Sequence, residues 1–217
     1  MAFEMREVMQ SEEPYMKLSQ VISAKWIVTD IGEGVRSKKE LLIELLATLK
    51  KSGDLASEDL SHDEILEELM DREKQQTTAL GEGFAFPHAR FKDIKGFYIV
   101  IGICPKGIDF DSMDGELSKI FIMTLLPTSK ANKLLQLRAA FMRFFTEADN
   151  KDRALKANPE QLYKVLEESS IEVNEDIIAR DIMRPAVSKI PEHSTLQEAA
   201  LILHKYKIDS LPVLSAD

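Results

Sequence analysis

"FYIVIGIC" (97–104) and "KIFIMTLL" (119–126) are short apolar runs rich in Ile, Val and Phe, each bounded by turn signals. They predict two buried central strands. Between them "PKGIDFDSMDG" (105–115) is a polar turn sequence. Beyond them Leu134, Leu137, Phe141, Phe144 and Phe145 recur at helical spacing, which predicts a long helix packed on the sheet.

Upstream, Ser37 and Glu40 have the spacing of a capping box. Leu41, Leu42, Leu45, Leu46 and Leu49 then form one apolar stripe, ended by Gly53. Ser61 and Glu64 repeat the cap, and Ile65, Leu66, Leu69 and Met70 repeat the stripe, giving a second helix to Arg72 or Glu73. Val21, Ile22, Trp26, Ile27 and Val28 within 16–28 read as extended structure before the turn "TDIGEG". Downstream, short helices are expected at 151–157 and from Pro159 to Glu168. Helices alternating with strands define an α/β layered fold.

Composition sets the bounds. The chain has 217 residues, enough for one full-size domain and a smaller piece. Its 44% hydrophobic and 30% charged residues are those of a globular protein. A net charge of −9 argues against a nucleic-acid partner, because phosphate backbones reward clustered Lys and Arg. The first residues, "MAFEMREVMQSEEPY", offer no signal-peptide core, and no apolar run is long enough to span a bilayer; a cytoplasmic location without membrane insertion is expected. The single cysteine, Cys104, lies inside the first strand and reads as a buried, inert thiol.

"GEGFAFPHAR" (81–90) is where chemistry is expected. Gly81 and Gly83 allow backbone N–H groups to approach an anion closely, although a plain turn uses the same residues. Pro87 fixes its own φ and holds Phe86 extended, so the backbone entering His88 has little freedom. A neutral imidazole attacks phosphorus through one nitrogen while an acceptor holds the other N–H. Arg72 and Arg90 are the nearest candidate cations, and Thr77 and Thr78 the nearest hydroxyl donors; ordinary surface pairing with Glu73 or Asp93 is the competing reading of the arginines. There is no G-x-x-x-x-G-K-[ST], G-x-S-x-G or H-E-x-x-H, and His62, His193 and His204 show no metal-ligand spacing, so no metal is expected.

"RE" at 72–73 followed by "TTALGEGFAFPHAR" at 77–90 resembles the phosphohistidine motif of fructose/mannitol-type enzyme IIA of the phosphoenolpyruvate phosphotransferase system, a family that includes the nitrogen-regulatory IIA proteins. "GIDFDSMDG" and "KIFIMTLLP" stand at the family's places. The resemblance implies a mixed central sheet flanked by helices. It also implies that His88 accepts phosphate from the phosphocarrier HPr, with Arg72 beside it, and passes it to a IIB protein or a regulatory target. The family's "S-T-G" and "G-N-G" are here Thr77-Thr78-Ala79 and Gly81-Glu82-Gly83, which predicts a negative charge near the phosphate. The second histidine of many members falls on Lys133 or Leu134, leaving Lys133 as a candidate phosphate-binding cation. These departures define the rival reading, a IIA-like module that docks on a partner without phosphotransfer.

"DIMRP" (181–185) and "TLQEAALILHKYKIDSLPVL" (195–214) resemble the first half of a CBS motif, with strand, helix and strand in order and Ser194 or Thr195 as the helix cap. That resemblance implies an adenosine nucleotide only if the motif is completed; the IIA-like part needs no cofactor. The expected organisation is an N-terminal extension (1–15), a IIA-like domain (16–169), a linker (170–177) and a partial CBS motif (178–217).

Overall fold

The two apolar runs pair with each other. In the computed structural model, which describes residues 15–32, 34–147, 149–174, 189–206, 208 and 210–215, β6 (Tyr98–Ile108) and β7 (Ser118–Pro127) are antiparallel, with Ile101 opposite Ile122. On the far side of β6, β2 (Ile27–Val28) adds in parallel; on the far side of β7, β4 (Phe84–Ala85) and β5 (His88–Phe91) add in parallel. β3 (Ala79–Gly81) closes antiparallel onto β4, and among the described residues β5 has a neighbour on one side only. The result is a six-stranded mixed sheet.

Period-two alternation sends alternate residues of each central strand into two cores. Ile99, Ile101, Ile103, Ile120 and Ile122 pack with Leu134, Leu137, Phe141 and Phe144 of α3 (Ala131–Thr146) and with Leu162 and Leu166 of α5 (Pro159–Glu168). Val100, Cys104, Phe121, Met123 and Leu125 face the leucine stripe of α1 (Lys38–Ser52) and Ile65 and Leu69 of α2 (His62–Gln75). Gly102 lies where Leu45 crosses β6: an added Cβ would sit 2.6 Å from Leu45 Cδ2.

The capping boxes form as the sequence predicts, Ser37 with Glu40 and Ser61 with Glu64. The helix expected at 151–157 is α4 (Asn150–Lys156). Three expectations are corrected. Residues 16–28 are not extended throughout: Leu18–Val21 and Ala24–Trp26 are 3₁₀ turns, and only Ile27–Val28 joins the sheet. The turn 105–115 is shorter than its polarity suggests, because β6 continues to Ile108. The linker 170–177 begins as structure: β8 (Glu172–Asn174) pairs antiparallel with β1 (Tyr15–Lys17), and Leu18 N–H continues the ladder to the Ile171 carbonyl at 2.9 Å. The remainder of that linker, 175–177, and most of the extension 1–15 lie outside the described residues.

The chain divides into two units, Met1–Asp181 and Ile182–Asp217. In the second, β9 (Ile190–Pro191) pairs in parallel with β10 (Val213–Leu214), and α6 (Leu196–Tyr206) connects them, capped by Thr195 with Glu198. This is the expected strand-helix-strand order; "DIMRP" lies outside the described residues.

Candidate functional site

Pro87 has no N–H to give, but its carbonyl accepts from Thr124 N at 2.9 Å, and Phe86 N–H donates to the Thr78 carbonyl at 3.0 Å. The segment entering His88 is thus bonded on both flanks as well as stiffened by proline. His88 opens β5 directly opposite Thr124, and paired residues share a sheet face. Its ring therefore lies on the α3 side, at the strand that has a neighbour on one side only.

Both ring nitrogens are engaged. Nδ1 is 3.0 Å from the Phe86 carbonyl oxygen, which only accepts, so Nδ1 carries the proton. Nε2 is consequently the lone-pair nitrogen, and it accepts from Arg72 Nε at 3.2 Å. Arg72 stands in the last turn of α2, and its Nη1 donates to the Gln76 carbonyl at 2.9 Å, which fixes the guanidinium at the helix end. His88 is 3% exposed. Burial, with the charges of Arg72, Arg138 and Arg90 adding to it, pushes the ring's pKa down from 6.5 to about 4 against the opposing pull of the Phe86 carbonyl. At neutral pH the ring is uncharged and its Nε2 nucleophilic.

The other expected residues separate into groups. Arg90, on the same strand, is exposed and contributes charge to the site. Thr77 and Thr78 do not offer their hydroxyls: Thr78 Oγ1 and N–H both donate to Glu73 Oε2, the latter at 3.0 Å, and Thr77 Oγ1 donates to the Phe110 carbonyl. Glu73 is buried, holds Lys38 Nζ at 2.7 Å as well, and anchors the chain leaving α2 just after Arg72. Gly81 and Gly83, expected to cradle phosphate, lie at a hairpin turn. Phe84 lies opposite Ile120 and His88 opposite Thr124, so the turn sits beyond a separation of four residues on β7, about 13 Å at strand rise. Its Glu82 N–H is already taken by Asp114 Oδ2 at 2.7 Å, and Gly81 and Gly83 supply the positive φ of a hairpin turn, 90° and 83°. Glu82 is exposed at that turn and places no negative charge beside His88.

Of the two positions standing where the second histidine was expected, Leu134 is 4% exposed and packs in the core. Lys133 lies in the first turn of α3, where its charge acts on Lys130; the cations acting on His88 are Arg72, Arg138 and Arg90. Arg138 is the residue sequence reasoning missed. It stands inside the apolar stripe of α3, where spacing from Leu134 gives the one usable signal, a charge at a helix position turned toward the sheet.

The arrangement is a neutral, oriented imidazole beside Arg72, on a buried outer strand of this mixed sheet. The chain belongs to the family described as Phosphoenolpyruvate-dependent sugar phosphotransferase system, EIIA 2, whose model matches residues 20–169, and a CBS domain model matches 179–217. It is 30% identical over 123 residues to the PTS system fructose-specific EIIA component of Haloferax volcanii, covering 57% of this chain and 78% of that protein. The fold matches nitrogen regulatory protein IIA-Ntr of Neisseria meningitidis, with a TM-score of 0.58 at 24% identity over 69% of this chain and 98% of that one. It also matches Escherichia coli mannitol IIA solved in complex with phosphorylated mannitol IIB, with a TM-score of 0.54 at 18% identity over 68% and 98%. The function is that of a phosphotransferase-system IIA-type phosphocarrier or regulator. No helix among the described residues is long and apolar enough to cross a membrane.

Proposed function

We propose that His88 is the phosphoryl acceptor of a cytoplasmic IIA component. Its donor is an HPr-like phosphocarrier, and its acceptor is a IIB protein or a regulatory target. The observation that carries this reading is the division of labour on the ring, with Nδ1–H held by the Phe86 carbonyl and the Nε2 lone pair facing Arg72 at 3.2 Å. In the transfer, Nε2 attacks the donor's phosphorus, the donor's P–N bond breaks, and its ring leaves as neutral imidazole. Arg72 releases Nε2 and turns its N–H groups to the phosphoryl oxygens, while Nδ1–H stays on Phe86 O. The tail half-motif would add an adenosine nucleotide site only when completed by a second half.

The test is intact-mass analysis after incubation with phosphoenolpyruvate, enzyme I and HPr, for wild type and His88→Ala. One acid-labile phosphate, absent from His88→Ala, is the expected result. The burial of His88 at 3% exposure favours the second reading, a docking module without transfer. An unmodified wild type beside a working control IIA would select that reading.

A further inference from the structure

We propose that Arg138 is the second guanidinium that binds the phosphoryl group on His88, in the place where Lys133 was expected to act. The inference rests on His88 being the phosphoryl acceptor and assigns the oxygen-binding partner of that same site.

Arg138 reaches the site from α3, the helix on the face toward which His88 projects. Its guanidinium carbon is 5.8 Å from the centroid of the Phe86 ring, and the Phe86 carbonyl is the group that holds His88 Nδ1 at 3.0 Å. The arginine thus lies over the ring of the residue whose carbonyl orients the nucleophile. Arg72 approaches from α2 and contacts Nε2 itself. The two guanidiniums sense each other: burial, and then the charge of Arg72, pulls Arg138 below its ordinary value.

No carboxylate among the described residues pairs with Arg138. A half-buried guanidinium that feels the charge of a second one is electrostatically incomplete, since like charges in a partly desolvated space repel with little screening. The group at hand that completes it is a dianion with several acceptor oxygens, and a guanidinium matches two such oxygens with parallel N–H groups. A phosphoryl group on Nε2 has that charge and shape. The surrounding chain carries a net charge of −9, so this local excess of positive charge is specific to the site. Lys133 stands near Lys130 in the first turn of α3, and Leu134 is committed to the core.

The test compares full-length wild type with Arg138→Gln, Arg138→Lys and Lys133→Gln in two measurements. The first is the rate of phosphoryl acceptance from phospho-HPr. Arg138→Gln is expected to be about tenfold to a hundredfold slower, Arg138→Lys to recover part of the loss, and Lys133→Gln to stay within about twofold of wild type. The second is titration of unphosphorylated protein with inorganic phosphate, following the Arg138 Nε–H and His88 ring resonances. The His88 shift should be present in wild type and lost in Arg138→Gln, with amide spectra reporting that each variant is folded; if Arg138→Gln is unfolded, Arg138→Lys against wild type decides. Acceptance and phosphate shifts equal in Arg138→Gln and wild type would overturn the proposal. Phosphate binding through Arg138 with no transfer in wild type would leave the anion site standing and remove the phosphocarrier reading; neither signal in wild type would remove both.

Discussion

Arg72 Nε sits 3.2 Å from His88 Nε2, joining the last turn of α2 to the first residue of β5. The contact, with the Phe86 carbonyl on Nδ1, holds the imidazole in one tautomer and keeps a proton off Nε2. Arg72→Gln is expected to slow phosphoryl acceptance by about a hundredfold. Arg72→Lys should fall between, because an ammonium supplies charge without the planar fork. Single-turnover transfer from phospho-HPr measures both.

Protons should favour the unfolded chain below neutrality. The unfolded His88 takes up a proton near pH 6.5, whereas the folded ring does so only near about 4, chiefly because it is buried. The stability linked to His88 is thus complete above about pH 6.5 and is lost as pH falls to about 4, up to about 3 kcal/mol. Urea unfolding at pH 7 and pH 4.5 should show a larger loss for wild type than for His88→Gln. Equal losses would contradict the lowered pKa.

Glu73→Ala should destabilise the fold by about 2–4 kcal/mol, because it leaves the Thr78 N–H and hydroxyl without their acceptor in a buried place and removes one partner of Lys38. The same change loosens the chain just after Arg72, so transfer should slow even at temperatures where the variant remains folded. Thermal unfolding and transfer rate, taken together, check it.

Gly81→Ala separates turn from site. With φ at 90° and an added Cβ 2.7 Å from Asp114 Oδ2, the variant should lose about 1–2 kcal/mol. Its phosphoryl acceptance should stay at the wild-type rate, since the turn lies beyond the far end of the β4–β5 edge. A selective loss of transfer would restore the glycine cradle.

Much of this architecture was legible because its signals are local. β6 and β7 announce themselves as apolar runs, and the capping boxes of α1 and α2 are contiguous patterns. His88 was legible through Pro87 and Arg72. Residues 16–28 misled because Leu18, Val21, Ile22 and Trp26 are all buried, so apolar character gave no period to distinguish 3₁₀ turns from a strand. β8 was invisible because its three residues owe their form to Tyr15–Lys17 at the other end of the domain. Glu73 resembled a surface partner for an arginine, since nothing in its neighbours reveals that two threonines and Lys38 converge on it. Arg138 was hidden inside an apolar stripe, where its relation to Phe86 depends on how α3 lies on the sheet.

The β1–β8 pair has a mechanical meaning. Tyr15 lies opposite Asn174 and Lys17 opposite Glu172, so the strand entering the domain and the strand leaving it run antiparallel with their outer ends side by side. Tension applied through the flanking chain would load the Tyr15–Asn174 rung first and open the pair like a zipper, one rung after another. The two strands act as a weak clasp that yields at low force, and only after it parts would strain travel through Leu18 and Ile171 toward the layers that hold His88.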